Sequence, residues 1–191
     1  MQVLSFIKYI FFRMKKLFLL SVFFLLVELA PAQNTFNKGD KIASVGLGVG
    51  GSLGDPSYHY TLSTPFLYAN FELGIVDHLF DEYSSIGVGG SLGFRAADFR
   101  YNDHSYNSTD VVFAGRGAFH YQLVDNLDTY SGIQLGFDNF NTNLNESGAD
   151  AIFWTYSIFA GARYYFHPNF SVNAEVCLGI TNLNVGISYK F

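Results

Sequence analysis

Asp103, His104 and Ser105 stand side by side. Between them they carry a carboxylate, an imidazole and a hydroxyl, the groups that nucleophilic catalysis uses as orienter, base and nucleophile. Adjacency along a loop does not impose the mutual geometry that such chemistry needs, so the trio rests on nearness in sequence alone. The other histidines, His59, His78, His120 and His167, are scattered, and no regular spacing joins them to acidic residues as a metal-ligand set, so no metal is expected. Cys177 is the single cysteine, which excludes an internal disulfide and a cysteine-based zinc cluster. No cofactor is expected either. Gly46-Leu47-Gly48-Val49-Gly50-Gly51 fits the dinucleotide fingerprint, but that motif needs a helix to open after it, and a turn-rich run follows. Asn107-Ser108-Thr109 and Asn145-Glu146-Ser147 match the glycosylation acceptor, a pattern common by chance.

The elements that must position these groups are legible in the composition. The chain has 191 residues, 49% hydrophobic, 18% aromatic and only 14% charged. Nineteen Gly beside 21 Phe and 13 Tyr is poor material for helices and points to a single β-rich domain. A net charge of −5, with no basic run beyond the N-terminus, excludes nucleic acid as a partner. Residues 14–33 read MKKLFLLSVFFLLVELAPAQ: two lysines, an apolar run, then Ala30-Pro31-Ala32. The pattern predicts a cleavable export signal over residues 1–32, with Met14 a second candidate start, and a mature domain over 33–191.

From Lys41 onward apolar and small or polar residues alternate, the period of strands whose two faces meet different environments. Eight such segments are expected: 42–53, 66–76, 84–97, 110–122, 129–138, 152–166, 170–179 and 182–191. The apolar faces carry almost no charge. The opposite faces are mostly Gly, Ser and Asn, with isolated charges at Glu72, Arg95, Asp110, Arg116, Arg163 and Glu175. Water-facing sheets carry many charges, whereas small residues suit the crowded lumen of a narrow barrel, and charges there persist when paired. An interior ion-pair network is therefore expected, with Arg163 opposite Asn173 and paired diagonally with Glu175. The segments are long enough, at about 3.3 Å per residue, to cross a tilted path through a bilayer.

Connections near 77–83, 125–128 and 167–169 are short, while 54–65, 98–109 and 139–150 are long and polar, which puts both chain ends on the short-turn side. The last connection, near 180–182, is short. Tyr83, Tyr121, Phe166, Phe170, Tyr189 and Phe191 on one side, and Phe66, Phe94, Phe137 and Trp154 on the other, are expected to form two interfacial girdles. The run GVGGSLG occurs at 48–54 and again at 87–93, with matching parity.

The pattern over 41–191 resembles the small eight-stranded outer-membrane β-barrels of Gram-negative bacteria, the class of OmpX and the OmpA membrane domain. Its sharpest element is the C-terminal Asn184-Val185-Gly186-Ile187-Ser188-Tyr189-Lys190-Phe191, similar to the signal read by the barrel-assembly machinery, with Asn184, Gly186, Tyr189 and Phe191 as its key positions. The segments Gly161–Phe166 and Asn173–Glu175 are similar to the family's penultimate hairpin. The resemblance implies an all-β, antiparallel, up-and-down transmembrane barrel in the outer membrane, preceded by the export signal. Its partners would be outer-membrane lipids and lipopolysaccharide, the assembly machinery, and a surface ligand that the sequence does not name. Eight strands leave a lumen that side chains fill, which disfavours a porin. The expected role is structural or adhesin-like, through the first and third long connections, where Tyr58, His59, Tyr60, Asn141, Asn143 and Asn145 make adaptable contacts. The alternative is a lipid A-modifying enzyme using His104 and Ser105, since a few members of the class are enzymes of that kind.

Overall fold

The computed structural model describes residues 35–51, 59–101, 104–142 and 149–191, so the export signal expected over 1–32 lies outside the described residues. Strand segments follow one another as β1 (Lys41–Val49), β2 (His59–Ser63), β3 (Phe66–Asp77), β4 (Ser84–Tyr101), β5 (His104–Val124), β6 (Leu127–Thr142), β7 (Ala149–His167), β8 (Phe170–Gly179) and β9 (Leu183–Lys190). β2 and β3 pair in succession with one edge of β4. Between them, Thr64 donates its amide and hydroxyl to the Ala96 carbonyl at 2.9 and 3.0 Å, beside Pro65, which has no N–H to offer. The two segments are one interrupted stave. The ring then has eight staves, every pairing antiparallel, and closes where β1 lies between β3 and β9.

Alternation sorts the two faces as expected. Along β3, buried and exposed residues alternate from Phe66 to Ile75. Val45, Leu67, Phe71, Leu92, Phe113, Leu135, Val176 and Leu178 are exposed on the outside, while Ser44, Asn70, Glu72, Arg116, Gln134, Ser157 and Asn173 are buried inside. Short turns join the staves at one end: Asn126, at φ 62°, makes the reversal between β5 and β6. In the β3–β4 turn, Asp81 accepts from the Tyr83 amide at 3.0 Å and the Tyr121 hydroxyl at 3.1 Å. Desolvation works against this carboxylate, but the bonds it accepts from Tyr83, Tyr121 and Ser84 outweigh that and hold its pKa below the ordinary value.

Several expectations are corrected. β1 stops at Val49 rather than at 53, because Gly50 and Gly51 take positive φ (70° and 101°) and leave the sheet. The two GVGGSLG copies therefore occupy different places, one straddling a strand end and one inside β4. Of the stretches expected as loops at 98–109 and 139–150, residues 98–101, 104–109, 139–142 and 149–150 are strand, since β4, β5, β6 and β7 run for 18, 21, 16 and 19 residues. β1, β8 and β9 have 9, 10 and 8. A bilayer crossing takes roughly 9–11 strand residues, so the β4–β7 wall stands well beyond the membrane while the opposite wall ends near it. Cross-strand hydrogen bonds sustain this wall, which is why polar Asn, Asp and Ser do not end the strands.

Phe66 does not join a girdle. It shares the parity of Tyr68, Asn70 and Glu72 and points inward, over Gly93, where a Cβ would collide with its ring. The lumen is likewise not filled by small residues alone. Tyr130 and Phe159 occupy slots left by Gly161 and Gly132, and Phe36 with Ile42 and Tyr165 closes the short-turn end. Nearer the other end, Phe66, Tyr68 and Val112 pack with Ile180, because the 180–182 connection dips inward instead of crossing the rim.

Two substitutions separate these roles. Gly93→Val should push the Phe66 ring out of its slot and lower the temperature at which the folded band disappears in unboiled SDS gels. Gly117→Val, where an added Cβ meets nothing within 4 Å, should leave that temperature unchanged. Acid should loosen the β3–β4 turn: the lowered Asp81 pKa stabilises the fold above the unfolded value of 3.8, and that contribution fades as pH falls through the lowered one. Hydrogen exchange at Tyr83 and Ser84 would register it, and Asp81→Asn should remove this dependence.

Candidate functional site

A closed ring carries its chemistry in two places, the lumen and the end that stands clear of the membrane. Inside, charges from five staves converge. His120 on β5 is the hub: Nδ1 lies 3.0 and 3.1 Å from the Asp128 oxygens, and Nε2 lies 2.6 Å from Glu72 Oε1. Arg163 bridges the same two acids, donating to Asp128 Oδ2 at 2.9 Å and to Glu72 Oε2 at 3.4 Å. Arg116 donates to Glu175 Oε1 at 3.0 Å, and its Nε lies 4.0 Å from Glu72. With a carboxylate on each ring nitrogen, the form of His120 that satisfies both is the imidazolium. Three cations then face three carboxylates, so the hub itself carries no net charge.

Aromatic and amide groups complete this layer. Phe36 stacks on the His120 ring at 4.0 Å. The Arg116 guanidinium lies 4.2 Å from the Phe159 ring centre, and that of Arg163 lies 4.9 Å from Tyr130. Tyr130 donates its hydroxyl to Glu175 at 3.0 Å, and Asn184 donates to the other Glu175 oxygen at 3.4 Å. The segment before β1 is tied in as well: Thr35 donates its amide to Gln122 at 2.9 Å, and Ser85 donates to the Phe36 carbonyl at 3.0 Å.

All six charges expected inside are inside, in two groups. Arg95 donates twice to Asp110 Oδ2, at 3.1 and 2.9 Å, directly across the β4–β5 ladder and apart from the hub. The Arg163–Glu175 pair does not form. Arg163 does lie opposite Asn173, but on its other side it lies opposite Asp128, and the directly facing acid captures it before the diagonal one. His120 and Asp128 were missing from the expected network. Asp128 borders the short 125–128 connection, yet carrying the inward parity of Gly132 down by two and four residues reaches Tyr130 and Asp128. Nothing before the first strand marks Phe36 as a lumen residue.

The remaining sites fall as follows. Asn184 and Gly186 face inward, and a Cβ at Gly186 would strike the Tyr68 hydroxyl. Tyr189 and Phe191 face outward, their rings 4.9 Å apart. His104 opens β5 opposite Tyr101 and is exposed, whereas Asp103 lies outside the described residues. His104 and Ser105 are consecutive in a strand, where neighbours alternate faces, so the backbone does not assemble them as a dyad. His59 and Tyr60 lie in β2, Asn141 is exposed on β6, and Tyr58, Asn143 and Asn145 lie outside the described residues. Among the described residues no group of three or more metal-ligating side chains is placed to hold an ion.

The outer surface decides the solvent. An unbroken apolar exterior flanked by exposed Phe137 and Trp154 at one level and by Phe166, Phe170 and Phe191 at the other is made for lipid. No family model and no curated protein matches the sequence. Among solved structures, the chain is similar to Ail, the attachment invasion locus protein of Yersinia pestis, in complex with the heparin analogue sucrose octasulfate. The TM-score is 0.53 at 14% identity, covering 81% of this chain and 99% of that one. It is similar too to the outer membrane protein OprG from Pseudomonas aeruginosa, with a TM-score of 0.52 at 12% identity, covering 83% and 99%. The fold is that of the small eight-stranded outer-membrane β-barrels. For such a barrel the hub explains how polar side chains survive at membrane depth: each cation answers an acid from a different stave, so the network also pins the staves together.

Removing one member should leave its partners buried and uncompensated, a loss of about 3–5 kcal/mol for such a group. His120→Ala and Arg163→Ala are therefore expected to lower the thermal unfolding midpoint in detergent strongly. Arg95→Ala, whose partner is the separate Asp110, should add to either one without coupling, as a double-mutant cycle would reveal.

Proposed function

We propose that this chain is a non-enzymatic outer-membrane barrel whose working surface is the tall β4–β7 wall and the connections it carries, in an adhesin-like or structural role. The observation that supports the reading most is the pairing of a blocked lumen with a wall extending beyond the membrane. Among the described residues the lumen holds Phe66, Tyr68, Val112 and Ile180 toward one end, Phe36, Ile42 and Tyr165 at the other and the charge hub between, which speaks against a narrow porin. The wall carries β4 to β7 outward, away from the lipid.

The class of surface ligand does not follow from the neighbour bound to a sulfated heparin analogue. After residue 32, Arg95, Arg116 and Arg163 point into the lumen, and Lys38, Lys41 and Lys190 lie at the short-turn end. Arg100 is the remaining basic residue in that stretch, two residues from Asp98 on β4, and the sequence of 52–58, 102–103 and 143–148 adds Asp55, Asp103 and Glu146 with no basic residue. An outer end of this sign disfavours polyanions. No observation favours the lipid A-modifying alternative on His104 and Ser105.

Cells displaying the barrel should bind cultured cell layers, and replacing 52–58 and 143–148 by Gly-Ser linkers should abolish binding at unchanged surface abundance. Undiminished binding would overturn the adhesin-like reading. Deleting Phe191 is expected to reduce outer-membrane assembly, measured as surface abundance against wild type, if the assembly machinery reads the C-terminal strand.

A further inference from the structure

Beside the Arg95–Asp110 pair stands a second acid. Asp110 lies opposite Phe140, and Asp138 lies opposite Val112, which makes the two acids diagonal neighbours on the inner faces of β5 and β6. Both are buried, at 0% and 4% exposure. Arg95 donates twice to Asp110 Oδ2, while Asp110 Oδ1 and Asp138 Oδ1 are buried without a hydrogen-bond partner. Two carboxylates beside one guanidinium leave a negative charge over. A carboxylate oxygen buried without a donor is costly, and a cation placed on it recovers that cost.

The surroundings select the kind of cation. Asp138 faces Val112 on one neighbouring stave and Phe153 on the other. Phe140 is the next inward residue on its own strand, its ring 6.5 Å from that of Phe153 and inclined to it by 58°. Phe153 keeps the inward parity of Ser157 and Phe159, yet it is 54% exposed. Pairing with β8 ends where Ser157 lies opposite Gly179, and β7 runs on beyond it. One ring at an open stretch of the inner face therefore adjoins the buried carboxylate.

We propose that Asp138, with Asp110 behind it and the Phe140 and Phe153 rings around it, binds the ammonium group of a small organic cation that enters past Phe153 from the outer end. A hydrated metal ion would have to exchange its water for Val112 and two phenyl rings, and among the described residues no group of three metal-ligating side chains is placed to replace that water. An ammonium is better matched. It donates a charge-assisted hydrogen bond to the carboxylate, spreads its charge over the ring faces and packs its apolar body against the same rings. Its single charge also balances the one that Arg95 leaves over. The site lies on the inner face of the wall and is independent of the adhesin-like reading, which concerns the connections.

The test titrates phenethylammonium chloride into the mature barrel in an uncharged detergent by calorimetry, with empty micelles subtracted and 2-phenylethanol as the neutral control. Wild type should bind the cation in preference to the alcohol. Asp138→Asn, nearly isosteric, should weaken the cation by about tenfold or more, the worth of one charge-assisted hydrogen bond, and leave the alcohol unchanged. Phe153→Ala, at an exposed ring, decides the matter should the first variant fail to fold, and it should weaken the cation as well. Absence of cation binding in wild type, equal affinity for cation and alcohol, or a cation affinity that the folded variants leave unchanged would overturn the site.

Discussion

A bilayer offers no water to an unpaired backbone amide or carbonyl, so every strand edge inside it must find another strand. Closure of β1 onto β9, in a ladder running from Ile42 opposite Lys190 to Val49 opposite Leu183, meets that demand. Everything else is shaped by it. Once eight staves close, the radius is fixed, and the inward side chains have one small volume to fill. The outward side chains meet lipid and must be apolar. Period-two alternation is how one linear sequence serves both surfaces.

The small interior explains the pairing of glycine with aromatics. Large rings enter the lumen where the facing stave has no side chain: Phe66 over Gly93, Phe159 over Gly132, Tyr68 between Gly46 and Gly186. The charged residues obey the same economy of space. His120, Arg116 and Arg163 are stacked against Phe36, Phe159 and Tyr130, and their charges are met by Glu72, Asp128 and Glu175. A dry interior tolerates such groups only as a complete set, which makes the network a device for holding distant staves in one register.

Inequality of the walls is what turns a closed cylinder into something with an exposed working end. β8, β9 and β1 stop near the membrane, and the 180–182 connection folds inward to cover the lumen, while β4 to β7 continue outward as paired sheet. Lipid contact no longer constrains the outward face there, and Asn139, Asn141, Thr109 and Asp98 join the apolar Val111 and Ile152 on it.

Fold class, the two strand faces and six of the interior charges are legible in the sequence alone, because side-chain alternation is a local property that survives without knowledge of partners. Leu183, Val185, Ile187 and Tyr189 are outward in the sequence pattern and outward in the barrel. The parity that turns Phe66 inward and brings Asp128 into the lumen is present in the sequence too, but a ring at interfacial depth and an acid beside a turn obscure it. Only the tertiary structure decided which charges pair, since Arg163 has an acid within reach on each neighbouring stave and the register selects the facing one. Where strands end was equally beyond local signals: above the membrane, paired partners rather than apolar residues sustain β4 to β7. The plugs formed by Phe36 and Ile180 depend on segments that fold back into a lumen which exists only after closure.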